Sequence, residues 1–276
     1  MKKKYILITL LLLSIATFSQ KKEKLKGSKI VSIEQKKTGA FQNLELEDDL
    51  EVMIIKGEKS SVEIEADNNI HEALNISLNG KTLRLNMVKN ITGYKKFAVR
   101  ITYTDTLKTV ITKNDVIINA LSEINLEDIT FKSFDASKLF LNVKSKKFTL
   151  FANDRSRSEL NIKSDDATIQ LSKNAQTKSI ISSGNLKFDL YQNASANVEG
   201  DVAEMKLRLD NNSEFTGKKL VAKKLELIAE LSSKCSVNVS ETMSIEASGS
   251  SEIELYGNQK IDLKKFVDTV RLIKKK

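Results

Sequence analysis

The chain has 276 residues, 45 Lys and Arg against 36 Asp and Glu, a formal net charge of +9, one Cys, one His, and neither Pro nor Trp. One Cys excludes an internal disulfide framework, and one Cys with one His excludes the usual Cys/His zinc sites. The cations are mostly Lys interspersed with acids, whereas nucleic-acid binding calls for clustered Arg beside exposed aromatics, so nucleic acid is excluded as a partner.

Met1 to Ser19 carries a basic start, Lys2 to Lys4, an apolar stretch from Tyr5 to Phe18 and short residues at Thr17 and Ser19. This is the pattern of a secretory signal peptide over residues 1–19. Its three lysines leave the mature chain at 9 − 3 = +6. The apolar stretch is short for a bilayer span, and no other segment is suited to crossing, so no integral membrane segment is expected after cleavage. No Cys stands at the cleavage point to carry a lipid; Cys235 is far downstream.

Residues 20–38 are polar and Lys-rich and read as a flexible lead-in. Residues 39–105 then alternate apolar and polar side chains between turn signals, with Asn79-Gly80 as a strong hairpin signal. They predict an antiparallel β unit that caps the downstream part of the chain.

From residue 106 to 257 the chain repeats about every 20 residues. Asn114, Asp135, Asn153, Asn174, Asn193, Asn212, Ser232 and Ser250 recur at intervals of 18 to 21. Each comes just after a short segment of period two and precedes a second apolar site: Ile118, Leu139, Leu160, Ile180, Val198, Phe215, Val237 and Ile253. Period two excludes helical repeats, and the Leu-x-x-Leu-x-Leu frame of leucine-rich repeats is absent. The prediction is an all-β fold, a right-handed parallel β-helix with coils of about 20 residues and an N-terminal antiparallel β cap. Asn, Asp, Ser and Gly suit the turns because they tolerate left-handed backbone angles. Stacked Asn174, Asn193 and Asn212 are expected to form an amide ladder. Residues 258–276 read as a C-terminal cap, with Phe266, Val267 and Val270 as its plug.

Polysaccharide lyases and hydrolases also use β-helices, and their chemistry needs converging carboxylates beside a cation. Asp154, Arg155 and Arg157 at one corner, Asp165 and Asp166 at the next, and Asp189 with Tyr191 further on are the candidates, but their spacing does not repeat on one face. No serine elbow, zinc motif, phosphate loop or calcium-type acidic repeat occurs, so neither catalytic residues, a metal site nor a cofactor is expected. Cys235 lies at a rung position beside Val237 and Val239 and reads as a buried, inert thiol.

Phe41-Gln42-Asn43-Leu44 leading into Val52 to Gly57, Val62 to Asn69, Leu83 to Leu85, Ala247-Ser248-Gly249-Ser250-Ser251 and Tyr256-Gly257 resemble the auto-transporter adhesin, head GIN domain family of Bacteroidetes-type secreted proteins. The resemblance covers nearly the whole mature chain. This chain departs from it in keeping a clear Ser-Gly-Ser only at Ser248 to Ser250. It implies an exported adhesin-like protein and supplies no catalytic residues.

Three readings are compatible with these features: an exported, non-enzymatic binding module for polysaccharide or an envelope or surface protein, a structural envelope scaffold, and a β-helix polysaccharide lyase or hydrolase. The first is preferred, with placement in the periplasm or at the cell surface. Tyr191, Arg155, Arg157 and Arg208 are the candidate ligand contacts, since Tyr stacks on sugar rings and Arg grips hydroxyls or carboxylates.

Overall fold

Alternating side chains run through nearly the whole chain, and the molecule they build is a β-solenoid of about nine turns. The structure, a computed structural model, describes residues 22–276, so the signal-peptide reading lies outside the described residues. The N-terminal part contains β1 (Lys24–Lys26), β2 (Val31–Lys37), β3 (Asn43–Leu46), β4 (Glu51–Lys56), β5 (Ser61–Asp67), a 3-10 turn at His71–Ala73, β6 (Leu74–Asn79), β7 (Thr82–Met87), β8 (Asn90–Thr92) and β9 (Phe97–Tyr103). The coils come next as β10 (Thr109–Thr112), β11 (Ile117–Ala120), β12 (Ile124–Ser133), β13 (Lys138–Ala152), β14 (Arg157–Leu171), β15 (Gln176–Tyr191), β16 (Ser195–Asp210), β17 (Glu214–Ala229), β18 (Lys234–Ala247), β19 (Glu252–Tyr256), β20 (Lys260–Phe266) and β21 (Arg271–Lys274). No helix among the described residues is long and apolar enough to cross a membrane.

Lys138, Arg157, Gln176 and Ser195 stand in parallel register, one every 19 residues. Each long strand changes direction once, where two adjacent residues such as Lys146 and Lys147 are not buried and the inward alternation restarts. A tight turn then closes the coil. Inward side chains form one contiguous apolar core from Phe41 to Leu255.

The turn frame differs from the sequence expectation. Left-handed angles fall on Asn114, Asp135, Asn193 and Asn212 as expected, but on Asp154, Lys173, Leu231 and Gly249 rather than on Asn153, Asn174, Ser232 and Ser250. Backbone bonds between coils hold these turns: Asn174 N–H donates to the Asp154 carbonyl at 2.8 Å, Asn193 N–H to Asn211 at 3.0 Å and Ser250 N–H to Leu231 at 2.7 Å. With the main chain so tied, even Leu231 adopts φ +58°, a conformation that ordinarily costs a non-glycine residue about 1–2 kcal/mol. The expected Asn174, Asn193 and Asn212 amide ladder does not form, since the corner is stitched by main chain instead.

The second apolar sites also straddle two inward columns. Leu139, Ser158, Thr177, Ala196, Phe215, Cys235 and Ile253 form one, and Leu141, Leu160, Ser179 and Val198 form the next. Ile180 belongs to neither: it points outward and is 56 % exposed. Cys235 is buried, and burial pushes its thiol up to about 12.

The N-terminal unit carries the expected antiparallel pairing and adds parallel strands to it. β3 lies parallel between β7 and β10, and β4 lies parallel between β9 and β11, so residues 43–56 are inserted between two later segments. Antiparallel pairing is confined to β2–β5, β5–β9 and β6–β7, which finish this end. The residues read as a flexible lead-in instead supply β1, paired with β8, and β2, paired along β5. A lysine-rich edge strand resembles a linker in composition, because lysine is what an exposed edge needs.

Asp67 fastens this end. Its buried carboxylate accepts the backbone N–H groups of Lys29 at 2.7 Å, Lys95 at 3.0 Å and Lys96 at 3.1 Å. Burial raises its pKa, but these bonds and the Lys29 charge outweigh burial and leave it below the ordinary value of 3.8. A depressed folded pKa contributes stability that is present above the unfolded value and is lost as pH falls through the folded one. Acidification below 3.8 is therefore expected to loosen β2 and β5, and Asp67→Asn to be looser at neutral pH with a flatter acid limb. Hydrogen exchange of the β2 and β5 amides across that range checks this; parallel pH profiles for the two proteins would contradict it.

At the other end, residues 258–276 do not plug the mouth. β20 continues the second half of β18 and β21 continues β19, both in parallel, so they form one more coil. Phe266 is 38 % and Val267 44 % exposed because no further described coil lies over them. Val270 packs against the core only in part.

Candidate functional site

The outer surface of the first halves of β13 to β17 is concave. The inward residues beneath its middle are small: Ser158, Thr177, Ser179 and Ala196 are all buried, between the bulkier Leu139 and Phe215. A wall backed by small side chains settles closer to the opposite wall, because packed interiors leave few voids. Two shallow hollows result, of about 430 and about 520 Å³, sharing Glu159, Lys178 and Asn197 and so forming one groove across the coils.

Alternation sets which side chains face this groove. Arg157, Glu159 and Asn161 come from β14, Gln176, Lys178 and Ile180 from β15, and Asn197 from β16, with Phe140 at the rim. Phe140 and Ile180 are exposed apolar surface among amide and charged groups. An open trough with apolar platforms and amide donors and acceptors can hold an extended polar ligand by contact and hydrogen bonding. It is open rather than enclosed, and its carboxylates, Glu159, Glu199 and Glu214, come from three different strands.

The four predicted contacts do not converge. Arg157 lines the groove and Arg155 sits in the adjoining turn, its backbone N–H donating to Asp135 at 2.8 Å. Tyr191 and Arg208 lie together across that corner, on the surface of the second strand halves. The Arg208 guanidinium stands over the Tyr191 ring at 6.0 Å and pairs with Glu230 at 2.9 Å. The phenol pKa is raised by burial and then by the Asp189 charge. One ring face is thus already covered by Arg208, a cation–π contact that competes with sugar stacking. Sequence reasoning missed Phe140, Asn161 and Ile180; the signal for Ile180 was Ser179 and Ile181 on either side, both able to take the inward places.

The carboxylates considered for catalysis are likewise separated. Asp154 pairs with Lys173 at the turn, Asp166 accepts the Asn185 amide at 2.8 Å at the opposite bend, and Asp189 is buried beside Lys187. Among the described residues no three His, Cys, Asp or Glu side chains gather as a metal site.

One arrangement was invisible in the sequence: Ser32 Oγ lies 2.9 Å from His71 Nε2, and Glu34 lies 3.4 Å from Nδ1. The second separation exceeds the 2.7–2.9 Å of a charge-assisted bond, and Nδ1 has no hydrogen-bond partner. The Ser32–His71 contact fastens the edge strand β2 to the 3-10 turn.

Solved structures share this architecture. An adhesin-titled protein from Parabacteroides merdae superposes with a TM-score of 0.66 at 13 % identity, covering 92 % of this chain and 100 % of its own. A protein from Parabacteroides distasonis titled as lipid binding gives 0.63 at 12 % identity, covering 91 % and 97 %, and an adhesin-titled protein from the same organism gives 0.57 at 14 %, covering 92 % and 98 %. At these identities the likeness is one of fold. No curated protein matches. Residues 40–258 match the family described as "Putative auto-transporter adhesin, head GIN domain", from β3 through β19, and the chain belongs to that family.

Proposed function

We propose that this chain is an exported, non-enzymatic binding module of adhesin type that holds a polysaccharide strand in the groove across β13 to β17. The observation that carries the reading is the continuous trough in which Phe140 and Ile180 stand exposed among Asn161, Gln176 and Asn197. Apolar platforms offer contact to sugar faces and amides pair with hydroxyls, while Arg157 and Lys178 among Glu159, Glu199 and Glu214 give the groove a mixed charge suited to a neutral polymer. The family's adhesin description supports binding over turnover. A relative's lipid-binding title does not favour an acyl chain within the coils, because their interior is filled by one continuous side-chain core.

The test passes the protein over envelope and host polysaccharides, recording retention and polymer length together. Retention without shortening is expected. Phe140→Ala combined with Asn161→Ala is expected to weaken it about tenfold while the melt stays within a few degrees, the behaviour of central contacts. Loss of retention in Tyr191→Ala or Arg208→Ala with the groove variant unaffected would move the site across the corner. Shortened polymer would replace the binding reading with an enzymatic one.

A further inference from the structure

The two ends of the rod are built differently. At the N-terminal end antiparallel strands β2 and β6 turn away from the parallel stack and finish it. At the C-terminal end β20 and β21 keep the parallel register, and among the described residues no strand pairs with their far edges. Every residue of β20 is exposed. Ile261 and Leu263 stand in register on Met243 and Ile245, and Phe266 on Ala247, so they continue columns that are buried in every coil behind them. This coil presents a strand template, with unpaired N–H and C=O groups and an apolar row 38 to 51 % exposed.

Its charge limits the partners that can cover it. Residues 258–276 carry seven cations, Lys260, Lys264, Lys265, Arg271 and Lys274 to Lys276, against Asp262 and Asp268. Asp268 is occupied by the Gly249 N–H at 2.9 Å. Arg271 and Lys275 reach back to Glu252 and Glu254, leaving the β20 lysines facing outward. A second copy docked tail to tail would bring two such basic ends together. Head-to-tail docking is no better, since residues 22–38 carry Lys22, Lys24, Lys26, Lys29, Lys36 and Lys37 against Glu23 and Glu34. A lipid surface would meet the charge but leave the strand's backbone groups unpaired in hydrocarbon.

We propose that the C-terminal coil is a docking edge for an acidic, extended segment of another protein, which adds a strand along β20. Main-chain bonds to the open edge would supply affinity, apolar side chains on Ile261, Leu263 and Phe266 the register, and carboxylates facing Lys260, Lys264 and Lys265 the selectivity. This surface is separate from the polysaccharide groove, and either can fail alone.

The probe is a labelled synthetic peptide of about eight residues, the span of one strand, alternating Glu and Val, with a Lys and Val twin as its control. Fluorescence anisotropy with the full chain at low salt is expected to show at least about tenfold tighter binding of the acidic peptide, weakening as salt rises. Leu263→Glu and, separately, Lys264→Glu with Lys265→Glu are expected to abolish that preference. These side chains are exposed, so a melt should show both variants folded, and Phe140→Ala with Asn161→Ala should bind the peptide unchanged. Equal binding of the two peptides, or acidic-peptide binding indifferent to both variants, overturns the proposal. So does concentration-dependent self-association, or pelleting with phosphatidylglycerol vesicles, while the acidic peptide is ignored.

Discussion

Gly200→Ala is expected to destabilise the middle of the rod by about 3 kcal/mol or more, and to lower Tm by roughly 6–12 °C at 2–4 °C per kcal/mol for a chain of this size. Gly200 has φ +120°, in a region that L side chains rarely occupy. A methyl group there would stand 2.1 Å from the Ile181 carbonyl oxygen and 2.9 Å from its carbon, in the coil before. That neighbour is main chain held in the ladder, so it cannot swing aside as a side-chain tip would. The local sequence shows why glycine is needed. Gly200 is in register with Ile181 and Leu220, and Asn197 to Glu199 pairs with Thr216 to Lys219, so β17 carries an extra residue at this point. A bulge bends and twists its strand, and Gly200 is where β16 accommodates it. Hydrogen exchange should show accelerated opening of β15 to β17, with the N-terminal unit and β20 unchanged. A melt within a degree of the parent, or loosening spread evenly along the rod, would refute this account.

The same contrast between side-chain pattern and main-chain geometry explains which parts of the fold were legible. Alternation with a period near 20 identified parallel coils because burial selects side-chain type: Val143, Ile162 and Ile181 occupy one inward column in three coils. Turn identity was less legible, because a corner tied by hydrogen bonds to the coils beside it tolerates Lys173 or Leu231 where isolated turns select Asn or Gly. The insertion of β3 and β4 between later strands was hidden for another reason. A strand's sequence records which faces are buried and not which neighbour lies beside it, so Val52 reads alike whether its partner is Ile118, Val99 or both. The candidate groove was the least legible part. Its residues are outward ones, and its shape comes from small inward residues, Ser158, Thr177 and Ala196, that interrupt the apolar pattern used to find the coils.

Phe188→Ala is expected to cost about 3–5 kcal/mol, the range for removing a fully buried aromatic side chain. Phe188 is 0 % exposed on β15, and its ring meets Phe215 of β17 edge to face at 5.3 Å. These strands are separated by β16, whose residue in register with Phe215 is Ala196. The pair therefore closes over a small side chain and ties coils that are not adjacent. Truncating Phe188 removes that tie and leaves a cavity that the hydrogen-bonded walls cannot collapse to fill, which places the cost toward the upper part of the range. Phe188→Leu keeps much of the volume and is expected to cost clearly less. Urea unfolding of the two variants and the parent gives the difference directly, and similar midpoints for Phe188→Ala and Phe188→Leu would show that the wall relaxes freely. The same substitutions bear on the groove, because Ala196 lies in its wall and the ring pair fixes that wall from within. At a temperature where Phe188→Ala is still folded, polysaccharide retention should fall further than in Gly200→Ala at equal global stability, since only the former loosens the support directly behind the trough.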